Sequence, residues 1–145
     1  MSPSVSGILI SGGTLVSVYK NKIYDISSLC TGATGVLNGI LLSGGTTNNV
    51  YNNLIGGLTA TASTNSDAIR GISITSTTTT STNKVYNNTV YLSGSGGTNF
   101  GSSGIYHAAN ATTTTAALDL QNNMIFNMCT PSGTGIVTAY RRSSG

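Results

Sequence analysis

Three aspartates, one histidine and two cysteines are the side chains here that could move a proton, hold a metal or form a covalent bond, and the chain has no glutamate. Cleavage of a sugar bond needs two carboxyl groups roughly 5–9 Å apart, so that acid and base roles can be divided. Asp25, Asp67 and Asp119 fall at three different points of the repeat described below: after its second strand, in its return loop and before its second strand. They read as solvated or turn-capping residues. His107 aligns with the inward positions Ile10, Leu42 and Ile74, and no Ser, Cys or Asp stands at a spacing that implies a catalytic partner. It reads as an interior or end-rung histidine. The SGGT segments at Ser11–Thr14 and Ser43–Thr46 lack the following Gly-Lys-Ser/Thr of a phosphate loop and read as turns. Gly94–Gly104 lacks the aspartates of calcium-binding repeats, so neither a metal nor a cofactor is expected.

Other spacings point to binding rather than catalysis. Tyr19, Tyr51 and Tyr86 should stack in one column, either stiffening the fold or offering a glycan-binding face. The threonine runs Thr77–Thr80 and Thr112–Thr115 raise an ice-binding face, although they lack a T-x-T rhythm and fall at a turn. Cys30 and Cys129 both lie just beyond a second strand, three turns apart. At ~4.8 Å per turn that is about 14 Å, beyond the roughly 7 Å that a disulfide tolerates between α-carbons. A bridge between stacked molecules stays open, against two unrelated thiols.

What must position these residues is a repeat. Gly7-Ile8, Gly39-Ile40, Gly71-Ile72, Gly104-Ile105 and Gly135-Ile136 recur at intervals of 32, 32, 33 and 31, a spacing that marks solenoids. Ile8 and Ile10, Ile40 and Leu42, Ile72 and Ile74 alternate with period two, as a strand requires. A second apolar stretch surrounds Tyr51-Asn52-Asn53 and Tyr86-Asn87-Asn88, with Tyr19-Lys20-Asn21 and Gln121-Asn122-Asn123 as relatives. Coiling lays each turn in parallel on the last, and Asn21, Asn53, Asn88 and Asn123 then form a ladder at one bend, where asparagine tolerates left-handed backbone. No helix is expected. The fold class is all-β, a right-handed parallel β-helix of about four to five rungs, in a single domain over residues 1–145.

The pattern G-I-x-I…N-x-V-Y-N-N-x-V/I, from Gly7 to about Tyr140, resembles the right-handed parallel β-helix repeats of the pectin-lyase-like superfamily. The segment Gly133 to Arg142 resembles repeats of large secreted, adhesin-like bacterial surface proteins. Enzymes of that superfamily place acidic clusters on one exposed sheet, and the three aspartates do not match that pattern.

Only 6% of the residues are charged and the net charge is +3, with Arg141-Arg142 the one adjacent basic pair. A nucleic-acid partner is not expected, since it needs a concentrated basic face. No apolar run reaches the ~18–20 residues of a membrane span. Richness in Thr, Asn and Gly suits an extracellular or cell-surface protein. Neither end reads as a cap, so the expected partner is the remainder of a longer β-helix or a second copy stacked head to tail, with strand edges at Gly7–Ser11 and Gly135–Tyr140. The leading expectation is a non-enzymatic structural repeat module, with a subunit that self-assembles head to tail into filaments as one form of it. A polysaccharide-binding or adhesin module is the alternative, followed by a polysaccharide lyase or hydrolase and an ice-binding protein.

Overall fold

In the computed structural model, which describes residues 4–76, 78, 80–108 and 117–143, the chain coils as a parallel β-solenoid of about four turns, with no helix among those residues. The first turn comprises β1 (Val5–Ile10), β2 (Leu15–Tyr19), β3 (Lys22–Ile23) and β4 (Ile26–Ser27). The second holds β5 (Leu37–Leu42), β6 (Thr47–Tyr51), β7 (Leu54–Ile55) and β8 (Leu58–Thr59). The third has β9 (Ile69–Ile74), β10 (Thr82–Tyr86) and β11 (Thr89–Gly94), and the fourth β12 (Ser102–Ala108), β13 (Ala117–Gln121) and β14 (Met124–Cys129). A fifth turn begins with β15 (Val137–Ser143). The first sheet is ordered β1-β5-β9-β12-β15, the second β2-β6-β10-β13 and the third β3-β7-β11-β14, with β4 and β8 forming a fourth. Every pairing is parallel.

The core is built of columns that run along the solenoid axis. Ile40, Ile72 and Ile105, then Leu42 and Ile74, then Val50 and Val85, then Ile55 and Val90 are each at most 1% exposed. Each such side chain contributes roughly 1.5–3 kcal/mol relative to exposure. The glycine before each isoleucine follows from this packing. A methyl group on Gly39 would lie 2.6 Å from Ile55 Cγ2, and one on Gly7 would lie 2.8 Å from Ile23 Cγ2. The same collision faces Gly71 against Val90 and Gly104 against Ile125. The Gly-Ile signature therefore records how closely the first sheet approaches the β-branched column of the third.

The spacing of the last turn differs from the sequence expectation. Gly135-Ile136 does not stand on Gly104-Ile105; Ile105 pairs with Tyr140 and Ser102 with Val137, an offset of 35. Ile136 lies in the connection before β15, where its carbonyl accepts from the Ser102 amide at 2.8 Å. The second and third sheets likewise step by 32 and then by 35. By register, the extra residues enter between β9 and β10 and between β12 and β13. Thr77, Thr79 and Thr112–Thr115 in those connections lie outside the described residues. The ice-binding expectation falls on them.

Candidate functional site

The bend between the second and third sheets carries the predicted ladder. Asn21 Nδ2 donates to Asn53 Oδ1 at 2.9 Å, Asn53 Nδ2 to Asn88 Oδ1 at 2.9 Å and Asn88 Nδ2 to Asn123 Oδ1 at 3.0 Å. Each accepting oxygen also takes the backbone N–H of the preceding asparagine, at 3.1 Å in all three cases. The other amide hydrogen of Asn53, Asn88 and Asn123 reaches the carbonyl of Val18, Val50 or Val85. Left-handed backbone belongs to a different residue from the one expected. Lys20, Asn52, Asn87 and Asn122, each one position before the ladder, have φ between 52° and 57°. Two roles that sequence spacing assigned to one asparagine are thus divided between neighbours.

A second, inner pair lies in β6 and β10 of the second sheet. Asn48 Nδ2 donates to Asn83 Oδ1 at 2.9 Å and to the Gly44 carbonyl at 3.0 Å, with both side chains buried. Val16 and Leu118 occupy the equivalent positions above and below, closing this pair with apolar groups. The Asn in N-x-V-Y was a visible signal, with no role assigned to it.

The outer face of the second sheet brings Tyr19, Tyr51 and Tyr86 together. Ring centroids are 4.9 Å apart for both neighbouring pairs, with interplanar angles of 1° and 3°. Tyr51 is raised above the ordinary tyrosine pKa, first by desolvation and then by charge repulsion from Tyr19 and Tyr86. Because the rings stack on one another, Tyr51 has no free face on which to seat a sugar ring. What the face does offer is a shallow groove of about 390 Å³ lined by Ser17, Asn49, Tyr51, Lys84, Tyr86, Asp119 and Gln121. Asn49, Lys84 and Asp119 are consecutive members of one column, since Lys84 pairs with both of the others.

The aspartates do not converge. Asp25 stands in the turn after β3 with φ 57°, and Asp119 is exposed on β13, where both carboxylate oxygens accept from Gln121 Nε2 at 3.1 and 3.0 Å. Asp67 departs from the solvated or turn-capping expectation, for its side chain is only 3% exposed. Its carboxylate accepts from Arg70 Nε at 2.8 Å and Ser103 Oγ at 2.6 Å, with Arg141 Nη1 at 3.6 Å. The Arg70 guanidinium lies 3.5 Å from the Tyr106 ring centroid. Such a buried charge persists only where it is paired and hydrogen-bonded, and here the cluster ties the third, fourth and fifth turns together. Sequence spacing missed it because its members come from a return loop and three different strands.

His107 takes its predicted interior place, 6% exposed and paired in register with Ile74, with the Tyr140 hydroxyl 3.4 Å from Nδ1. Cys30 and Cys129 are not bonded to each other. Cys129 is 7% exposed, and burial pushes its thiol pKa up, partly offset by a hydrogen bond with Ser102. Among the described residues no group of three or more His, Cys, Asp or Glu side chains could hold a metal ion. Comparisons with protein-family models, with characterised proteins and with solved structures found no significant match.

Proposed function

We propose that this chain is a structural stretch of an extracellular or cell-surface parallel β-solenoid, with no catalytic activity of its own. The observation that carries this reading is the polarity of the corner ladder. Every link donates from one turn to the next, so Asn21 Oδ1 at one end accepts nothing, while Asn123 N–H and one Asn123 Nδ2 hydrogen at the other donate to nothing among the described residues. The repeat's most regular polar side chains are thus spent on holding turn to turn, which is a structural use. The reactive side chains support the same reading, since Asp67 is held by arginines and His107 and Cys129 are packed in the interior. Membership of the pectin-lyase-like superfamily, or kinship with adhesin-like repeats, is part of the proposal and rests on the sequence pattern.

The test is to duplicate one turn. A chain with residues 37–68 repeated in tandem should fold, lengthen by about 4.8 Å and unfold at higher denaturant, because each added turn brings its own interfaces. A duplicated chain that fails to fold would overturn the reading. So would release of sugar products from polysaccharides that is lost in Asp67→Asn or Asp119→Asn.

The groove beside the tyrosines favours a second reading, a polysaccharide-binding module. Its polar column offers an amide, an ammonium and a carboxylate at successive turns, and the tyrosines present ring edges rather than faces. A glycan screen showing binding that Lys84→Ala abolishes would support it, and a screen without binding would remove it.

A further inference from the structure

Three of the seven tyrosines share one column on the outer face of the second sheet, and Gln121 takes the next place in it. We infer that this column is a site of oxidative cross-linking, at which Tyr51 joins Tyr19 or Tyr86 as o,o′-dityrosine and staples two turns covalently. The co-reactants are a one-electron oxidant of the haem-peroxidase class and hydrogen peroxide. The inference goes beyond the structural reading above and needs only the column, so either can fail without the other.

The geometry selects these three rings. Tyr19 pairs in register with Tyr51 and Tyr51 with Tyr86, with centroids 4.9 Å apart and planes within 3° of parallel. Each phenol therefore has another phenol as its permanent neighbour, and a radical formed on one meets its partner before a second molecule arrives. Tyr19 is 47% exposed, and Tyr51 and Tyr86 are partly exposed, so the column is open to an oxidant. Among the described residues no hydrogen bond ties any of the three hydroxyls, which leaves each ring able to swing toward its neighbour. The charge repulsion that raises the Tyr51 pKa comes from Tyr19 and Tyr86, which puts the oxygens close as well as the rings. The other four tyrosines lack such a neighbour. Lys22 Nζ lies 4.6 Å from the Tyr24 ring centroid, and the Arg70 guanidinium covers Tyr106. Tyr91 pairs with Phe126 and stands beside Gly56, and Tyr140 pairs with Ile105. Oxidation there leaves a radical with no phenol stacked on it.

The reaction balances as follows. The oxidant takes one electron from each of two stacked phenols, and each hydroxyl gives up its proton, so that two phenoxyl radicals stand side by side. They couple through ring carbons ortho to oxygen, which forms one C–C bond. Each ring then loses the hydrogen at that carbon as a proton while its oxygen regains one, and both phenols are restored. The two electrons and two protons released reduce one hydrogen peroxide to two waters. Because Tyr51 lies between the other two, one bond uses it up and leaves Tyr19 or Tyr86 unpaired.

The test oxidises the full chain, at micromolar concentration, with a haem peroxidase and hydrogen peroxide. Dityrosine fluorescence, gel mobility and peptide mass spectrometry then report the linkage. The expected product is a monomer, two hydrogens lighter, in which Tyr51 is bonded to Tyr19 or Tyr86. Its urea midpoint should rise, because the new bond constrains the unfolded chain. Tyr51→Phe keeps the ring stack but removes the shared phenol, and Tyr19 and Tyr86 are then about 10 Å apart, two strand spacings. That variant should lose intrachain dityrosine at least about tenfold. Tyr19→Phe should leave the Tyr51–Tyr86 bond as the intrachain product, and Tyr91→Phe should change nothing. Dityrosine found only between molecules, or an intrachain yield that survives in Tyr51→Phe, would overturn the inference. If Tyr51→Phe fails to fold, the double variant Tyr19→Phe with Tyr86→Phe, which leaves Tyr51 without a phenol beside it, should show the same loss; an undiminished yield there would overturn the inference equally.

Discussion

Asn88 Oδ1 accepts two hydrogen bonds from Asn53, one from Nδ2 at 2.9 Å and one from the backbone N–H at 3.1 Å. A single side-chain oxygen thus holds both the side chain and the backbone of the bend in the turn before it. Asn53 and Asn88 are 2% and 1% exposed, so water cannot replace either bond. Removing one partner strands the others, at about 1–3 kcal/mol for each buried group left unpaired. Asn53→Ala should therefore cost about 3 kcal/mol or more by urea denaturation, and Asn21→Ala, at the less buried end of the ladder, under about 1 kcal/mol. Equal losses at both positions would show that the ladder does not act through buried polar groups.

Lys20 occupies the left-handed place that asparagine fills in the other three turns, with φ 57°. Left-handed backbone costs most residues roughly 1 kcal/mol, and asparagine less. Because Lys20 is exposed, Lys20→Asn should stabilise the chain by about 0.5 kcal/mol. A fall in the urea midpoint would refute the strain argument.

Gly71 faces Val90 and the Gly104 carbonyl, which a methyl group would approach to 2.5 Å. Backbone cannot give way here without moving the neighbouring turn, so Gly71→Ala should destabilise by about 3 kcal/mol or more. Gly12 has no atom within 4 Å of the added methyl, and Gly12→Ala should stay within about 0.5 kcal/mol of the parent. Comparing the two variants in one denaturation series separates close packing from any general intolerance of alanine.

Asp67 is held by Arg70, Arg141 and Ser103, whereas Asp119 is exposed and bonded to Gln121. Asp67→Asn leaves two arginines without their buried counter-charge and should cost about 3–5 kcal/mol. Asp119→Asn should be nearly neutral in the same thermal or urea assay. The reverse ranking would place the charge that matters on the outer face.

Alkaline conditions should loosen the fold. Cys129 and Tyr51 both have raised pKa values in the folded chain, so the folded state holds their protons more tightly than the unfolded state does. Their contribution is fully present below the ordinary values of 9.0 and 10.0 and is lost as pH rises through the folded ones. Urea midpoints should fall above pH 9, and less steeply in Cys129→Ser. At neutral pH a thiol reagent should label Cys30, which is partly exposed, well before the buried Cys129. Faster labelling of Cys129 would contradict the packing around it.

The sequence by itself determined the solenoid, its parallel strands, the inward isoleucine columns and the positions of the Asn and Tyr ladders. Each of these repeats along one axis, so a residue's neighbour in space stands at a nearly constant distance in the chain. Tertiary structure alone decided the last interval, because Gly135-Ile136 matches the motif but its glycine answers to the Phe100 backbone rather than to a third-sheet column, and Ile105 meets Tyr140 instead. It also decided the Asp67 cluster, where a return loop folds against strands from three turns, a contact with no period to announce it. The tyrosine column was legible as a column; that its rings cover one another's faces follows from a spacing of 4.9 Å with near-parallel planes, which only packing of the turns sets.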